Sequence, residues 1–192
     1  MKLDKKSELL LKASFFGTFS ESMWVPLYAM FVERVGGNIL DAGIGYAIFE
    51  IVTGIIVITF GRSKLFSEHL EFLTFTGFAI AGFGDLLLIM VKNKYELFIV
   101  QVVIGIAVGI LNPAWDSLYS EVSEVSKWTL WSGGVTFFTG ISALLAGVIV
   151  RFQSFRAMFL IMAIVNSYSI YCSYLIWRKK DDTINNTVAS PN

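Results

Sequence analysis

The chain is poor in cysteine, histidine and proline: one Cys, one His and three Pro in 192 residues. A solitary Cys172 excludes an internal disulfide framework, and without a Cys/His set no zinc site of the usual ligand spacing can be written. His69 stands in a polar joint between two apolar blocks, where it reads as solvated. No Ser–His pair of the intramembrane-protease kind can be built from it. Charge is scarce too. Charged residues make up 16% of the chain, with 15 basic and 15 acidic, so neither a basic stripe for nucleic acid nor an acidic tail is present. The first eight residues are charged and no small-residue cleavage site follows the first apolar block, so a secretory signal is not expected.

What the chain has is apolar residues: 55% of it is hydrophobic, gathered in blocks rather than amphipathic stripes. Crossing a bilayer core takes about 20 consecutive apolar residues in a helix. Blocks of that length lie at 10–32, 41–61, 70–91, 96–118, 128–150 and 155–177. Strands are excluded because an open sheet edge cannot be satisfied in lipid. The expectation is an all-α membrane protein of six transmembrane helices. It would have a cytoplasmic segment 1–9, a membrane domain 10–178 and a disordered cytoplasmic tail 179–192. Lys2, Lys5, Lys6, Lys12, Arg62, Lys64, Lys127, Arg178, Lys179 and Lys180 then share one side, against Arg34, Lys92, Lys94, Arg151 and Arg156 on the other. That bias puts both termini in the cytoplasm of a cell membrane.

Ionisable groups inside a membrane are costly and mark a pathway or a partner. Glu21 and Glu50 fall near helix centres. At 100° per residue, Ser14, Gly17, Thr18, Glu21, Val25 and Tyr28 share one face of the first helix. Gln101, Gly105, Asn112, Trp115 and Asp116 cluster likewise on the fourth. These stripes read as cavity walls, or alternatively as polar contacts between neighbouring helices. The face of Glu50 also carries Gly43, Ala47, Gly54 and Gly61, a seam of small residues that admits a close helix. Gly133, Thr136, Gly140, Ala143 and Gly147 form a second seam. Asp85 is expected near the outer end of the third helix, within reach of interfacial water or Lys92.

In order and spacing these features resemble the N-terminal half of a major facilitator superfamily transporter. VPLYAMF ends the first helix in the family's Pro-aromatic manner. GIIVITFGRS is similar to the family signature of the second helix and its loop: Gly54, Gly61 and Arg62 match, while Ile58 and Thr59 replace an Asp and an Arg. In the fourth helix Gly105 and Gly109 fit the glycine pattern, and Gln101 stands where an arginine is common. FQSFRAMF, with Arg156 and Phe159, is similar to the family's start of the sixth helix. WVPLY at Trp24–Tyr28 is echoed by WDSLY at Trp115–Tyr119, and that shift lays helices 1–3 over helices 4–6. Three-plus-three inverted repeats of this kind are nested in each six-helix half of the family's transporters. The family's helix-five antiporter proline is missing from Gly140–Gly147.

The resemblance implies a secondary transporter, with a cytoplasmic gate between Arg62 and Asp116 and no metal or cofactor. It also implies two six-helix bundles around a midplane site, and the chain supplies one. Pairing with itself, pairing with another gene product and being a fragment are the alternatives. A parallel homodimer is favoured, since the family's halves are parallel repeats and two-fold dimers are the commonest oligomers. In such a dimer Glu21 faces its own copy. Two carboxylates close together in a low-dielectric cavity cannot both ionise cheaply, so the pair is expected to hold a proton and act as the coupling site, with Glu50 second. Carboxylate, amides, Tyr28 and Trp115 suit a proton-coupled sugar-like solute, or an organic cation. The rival readings are a non-transporting assembly subunit and an aspartyl intramembrane protease, the latter from GFGD at Gly82–Asp85.

Overall fold

The computed structural model describes residues 5–61, 63–122 and 125–189. It is 93% helical, with no strand among the described residues. Among the described residues eight α-helices follow one another: α1 (Lys5–Trp24), α2 (Tyr28–Arg34), α3 (Ile39–Phe60), α4 (Lys64–Glu68), α5 (Leu70–Met90), α6 (Lys94–Val122), α7 (Val125–Phe152) and α8 (Phe155–Ala189). Five of them, α3, α5, α6, α7 and α8, are long and apolar enough to cross a bilayer. The protein is therefore an all-α, multi-pass membrane protein.

The first apolar block is not one helix. Its path breaks at a 3-10 turn over Val25–Leu27 and resumes as α2. Pro26 explains the break: it has no N–H to donate and its ring crowds the carbonyl one turn back. At the other end, α8 runs on to Ala189, through residues read from sequence as a disordered tail. A helix already nucleated by a span extends without a new nucleation cost, and no proline intervenes before residue 191.

Between α2 and α3 the chain turns at Gly36, whose φ of 84° is open to glycine at no steric cost. Asn38 then caps α3: its side chain accepts from the Leu40 and Asp41 amides, and Asp41 accepts from the Asn38 amide at 2.9 Å. Asp41 also receives Lys94 Nζ from α6 at 3.0 Å. At the opposite end of the bundle, Lys6 of α1 lies 3.2 Å from Glu71 of α5 and 3.5 Å from Glu121 of α6.

The long helices pack in the series α3–α6–α5–α8–α1–α7. Close approach of α6 to α3 depends on Gly105 and Gly109. A Cβ on Gly105 would stand 2.8 Å from the Phe49 carbonyl oxygen, and one on Gly109 would stand 2.7 Å from Ile56. Thr53 Oγ1 donates to the Gly105 carbonyl at 3.2 Å across the same contact. Two apolar clusters result. One surrounds Trp24, Phe31, Leu88, Phe155 and Phe159, the other Leu10, Phe78, Trp115, Tyr119 and Cys172.

The two ends of the series are different from its middle. Only 6% of the α3 span and 11% of the α7 span is buried, against 39% for α5, α6 and α8. On α3, no described neighbour lies within 4 Å of a Cβ built on Gly43 or Gly54; on α7 the same holds at Gly133, Gly140 and Gly147. The small-residue seams read from sequence do exist, and no described helix of this chain fills them.

Candidate functional site

Between the two apolar clusters lies a cavity of about 330 Å³. That volume falls at the small end of ligand-pocket sizes. Its walls come from α1, α5, α6 and α8, with Trp131 of α7.

From α1 it receives Ser14, Gly17, Thr18, Ser20, Glu21 and Trp24, so the expected polar stripe does line a cavity up to Trp24. Glu21 is exposed, and the space it opens into is this cavity. Val25 and Tyr28, assigned to the same stripe, are not in its lining. The reason is the 3-10 turn: at 3.0 residues per turn, instead of 3.6, it rotates Tyr28 off the face. The Tyr28 ring packs edge-on to Trp24, and its hydroxyl fills the space that a Cβ on Gly45 would need. That hydroxyl is buried without a hydrogen bond of good geometry, and Gln101 is the amide that faces it.

From α6 the lining takes Asn112, Trp115 and Asp116 but not Gln101. Gln101 is buried with Tyr28 instead. It lies about one helical turn beyond Ile104, where the α6 lining of the cavity ends. Trp115 is held by its indole N–H, which donates to the Leu10 carbonyl at 3.3 Å. Trp131 donates to Ser14 Oγ at 2.8 Å, and the two indoles lie 4.8 Å apart. Asp116, expected at a cytoplasmic gate, shares the cavity with Glu21. Its expected partner Arg62 lies outside the described residues.

Glu50 is elsewhere. α3 meets α6 through Phe49, Val52, Thr53 and Ile56, and Glu50 points about a third of a turn away from that contact, beside Tyr46. It is exposed on the outer face of α3 and lines no wall of the cavity.

Asp85 is misplaced in the opposite sense, since it belongs to the cavity and was not assigned to it. It is not at the outer end with Lys92; it is 7% exposed and lines the cavity. Its Oδ2 lies 3.4 Å from Ser20 Oγ of α1 and 3.3 Å from Asn166 Nδ2 of α8, and Ser20 also donates to the Met162 carbonyl at 3.0 Å. Glu21, next to Ser20 on α1, lines the same cavity. Asn166 was not singled out at all. The signal that could have found it is an amide in an apolar span, the same criterion that picked out Asn112.

The cavity therefore gathers three carboxylates (Glu21, Asp85 and Asp116), two amides and three tryptophans. No Lys, Arg or His is among its described lining residues. A scan against protein-family models matches none of them, and a comparison with curated proteins finds no match.

Proposed function

We propose that the protein is a secondary transporter of a small solute, working by alternating access as a parallel homodimer of six-helix units. Each unit would resemble one half of a major facilitator fold. The observation that carries this reading is the cavity itself: membrane-embedded, walled by α1 and α6, and lined with acids, amides and indoles. The sixth span is α1 continued through the Pro26 turn into α2. Its 30 residues (5–34) extend to roughly 45 Å at 1.5 Å per residue, enough to cross a bilayer.

Two observations support the repeat. Exchanging α1, α3 and α5 with α6, α7 and α8 turns the packing series into its own reverse. The shift that lays Trp24 over Trp115 also lays Glu21 over Asn112, and all four side chains line the cavity.

The dimer is supported by the uncovered faces of α3 and α7. Carboxylates in hydrocarbon are costly, so the outward face bearing Glu50 needs a protein neighbour. A second copy supplies one, with open glycines where helices can approach. The Lys/Arg bias places both termini in the cytoplasm of a cell membrane. Indoles and amides around the cavity favour a sugar-like solute, whose apolar face stacks on a ring while its hydroxyls pair with Asn112 and Glu21. The all-acidic charge of the lining favours the second reading, an organic cation. Coupling would run through the proton held by Glu21. The protease reading draws no support from Asp85, whose hydrogen-bond partners are Ser20 and Asn166 and not a second aspartate.

Uptake into proteoliposomes of labelled neutral sugars and organic cations, with and without an imposed pH gradient, tests the reading. Saturable uptake of one class supports it; no movement of either class counts against it.

A further inference from the structure

A second hollow lies apart from the cavity, at the end of the bundle that carries the Asp41–Lys94 pair. It is a groove of about 460 Å³ between the end of α5 and the start of α6, with one residue of α8 at its rim. Met90, Ile99 and Val100 are among its apolar residues, and Lys92, Glu96 and Arg156 are its charged ones. Met90 and Ile99 are 70% and 65% exposed, so the groove opens sideways towards lipid. The α5 span ends at Met90, the α6 span begins at Lys94 and the α8 span begins at Phe155. Lys92 and Arg156 therefore stand at the membrane boundary, where lipid headgroups lie. Ile99, five residues into its span, is roughly 7.5 Å deeper.

The groove has two cations and one anion, and the anion is already engaged. Glu96 Oε2 accepts from the Lys92 amide at 2.7 Å, and Oε1 accepts from Asn93 Nδ2 at 2.7 Å. Asn93 Oδ1 in turn accepts from the Tyr95 and Glu96 amides, so Glu96 is committed to the start of α6. The neighbouring Lys94 is paired with Asp41. Neither Lys92 nor Arg156 has an ion-pair partner among the described residues. Arg156 also sits in the first turn of α8, which contains no acidic residue. A cation there opposes the helix dipole, and Lys92, just before α6, is placed against it in the same way. An anion held between the two side chains offsets both placements.

We propose that this groove is a site for an anionic phospholipid, its phosphate between Lys92 and Arg156 and an acyl chain along Met90 and Ile99. Arginine meets a phosphodiester bidentately, and lysine meets it as a point charge. A zwitterionic lipid brings a cation of its own to the two already there. A free phosphate leaves the apolar part of the groove bare. Only an anionic lipid satisfies both parts at once, and basic pockets between transmembrane helices take such headgroups. The site is separate from the cavity and from the uncovered faces of α3 and α7, and it requires no transport cycle.

The full chain in detergent is titrated with phosphatidylglycerol or phosphatidylcholine of the same acyl chains, and native mass spectrometry counts the lipids retained. Saturable retention of phosphatidylglycerol, tighter than that of phosphatidylcholine, is expected. Lys92→Gln and Arg156→Gln should each weaken it roughly fivefold, the effect of one basic side chain at a headgroup. Ile99→Ser should weaken it through the apolar wall. All three residues are exposed, so the variants keep the fold. Arg151→Gln, at the same end but outside the groove, should leave retention unchanged. Equal retention of the two lipids by the unmodified protein overturns the site. So does an Arg151→Gln effect as large as that of Lys92→Gln, which would mean charge spread over the surface. Displacement by soluble glycerol phosphate at matching concentration would make this a free-phosphate site and overturn the lipid. Lipid retained on the monomer and absent from the dimer would give the groove to a second copy, and overturns it too.

Discussion

Asn166 of α8 holds its amide nitrogen 3.3 Å from the carboxylate of Asp85 on α5, with both residues buried at the cavity wall. This contact joins α5 to the last long helix at the level of the cavity. Replacing Asn166 by Leu removes a donor from an enclosed carboxylate, and a buried polar group left unsatisfied costs about 1–3 kcal/mol. Thermal unfolding in detergent should show Asn166→Leu destabilised by that order relative to Asn166→Gln. Equal melting of the two would mean that the amide contributes packing alone.

Glu21 lines the cavity with Trp24 and is the carboxylate proposed to carry the coupling proton. Gln keeps its shape but cannot carry a proton. Glu21→Gln should therefore lose accumulation driven by a pH gradient far more than it loses solute counterflow, both read in the same proteoliposomes. If the variant still concentrates solute with pH as the sole driving force, Glu21 is not the coupling group.

The uncovered glycines make a sharper test of assembly. No described neighbour lies within 4 Å of a Cβ on Gly54 or Gly140. Leu at either position should leave the protomer's stability within the range of surface substitutions, about ±0.5 kcal/mol, while abolishing crosslinked dimer. Dimer yield unchanged by both substitutions would place the interface elsewhere.

Lys6 joins α1 to Glu71 of α5 and Glu121 of α6 at the end of the bundle holding the N-terminus. Glu71 is the enclosed partner, with its side chain 9% exposed against 33% for Lys6. Lys6→Met takes the ammonium away from an enclosed carboxylate, whereas Glu71→Gln leaves a lysine that still reaches water and Glu121. The first should cost about 1–3 kcal/mol and the second less, by thermal unfolding. The opposite order would show that Glu71 is held mainly by other contacts.

Hydropathy made the helices legible because bilayer thickness leaves so little choice of length. Helical periodicity picked out the α1 stripe from Ser14 to Glu21 and the α6 group of Asn112, Trp115 and Asp116, since α1 is unbroken there and α6 continues through Pro113. It failed where geometry departs from the ideal helix or depends on depth. Tyr28 left the stripe at the Pro26 turn. Gln101 had the right face but the wrong height, which an angular plot does not record. Asp85 was assigned to an interface from its position in its block alone, whereas its surroundings are set by α1 and α8, and no one-dimensional reading pairs those with α5. Glu50 was legible as costly, and the structure adds that the cost falls on a face this chain does not cover.

Whether two copies make one transporter is tested most directly by measuring transport per protomer as the protein is diluted in lipid. Vesicles are prepared over a wide range of protein-to-lipid ratios, with dimer fraction read by crosslinking in the same samples. The homodimer account predicts that the specific rate of uptake falls in step with the dimer fraction. A rate per protomer that stays constant while dimers vanish would contradict it.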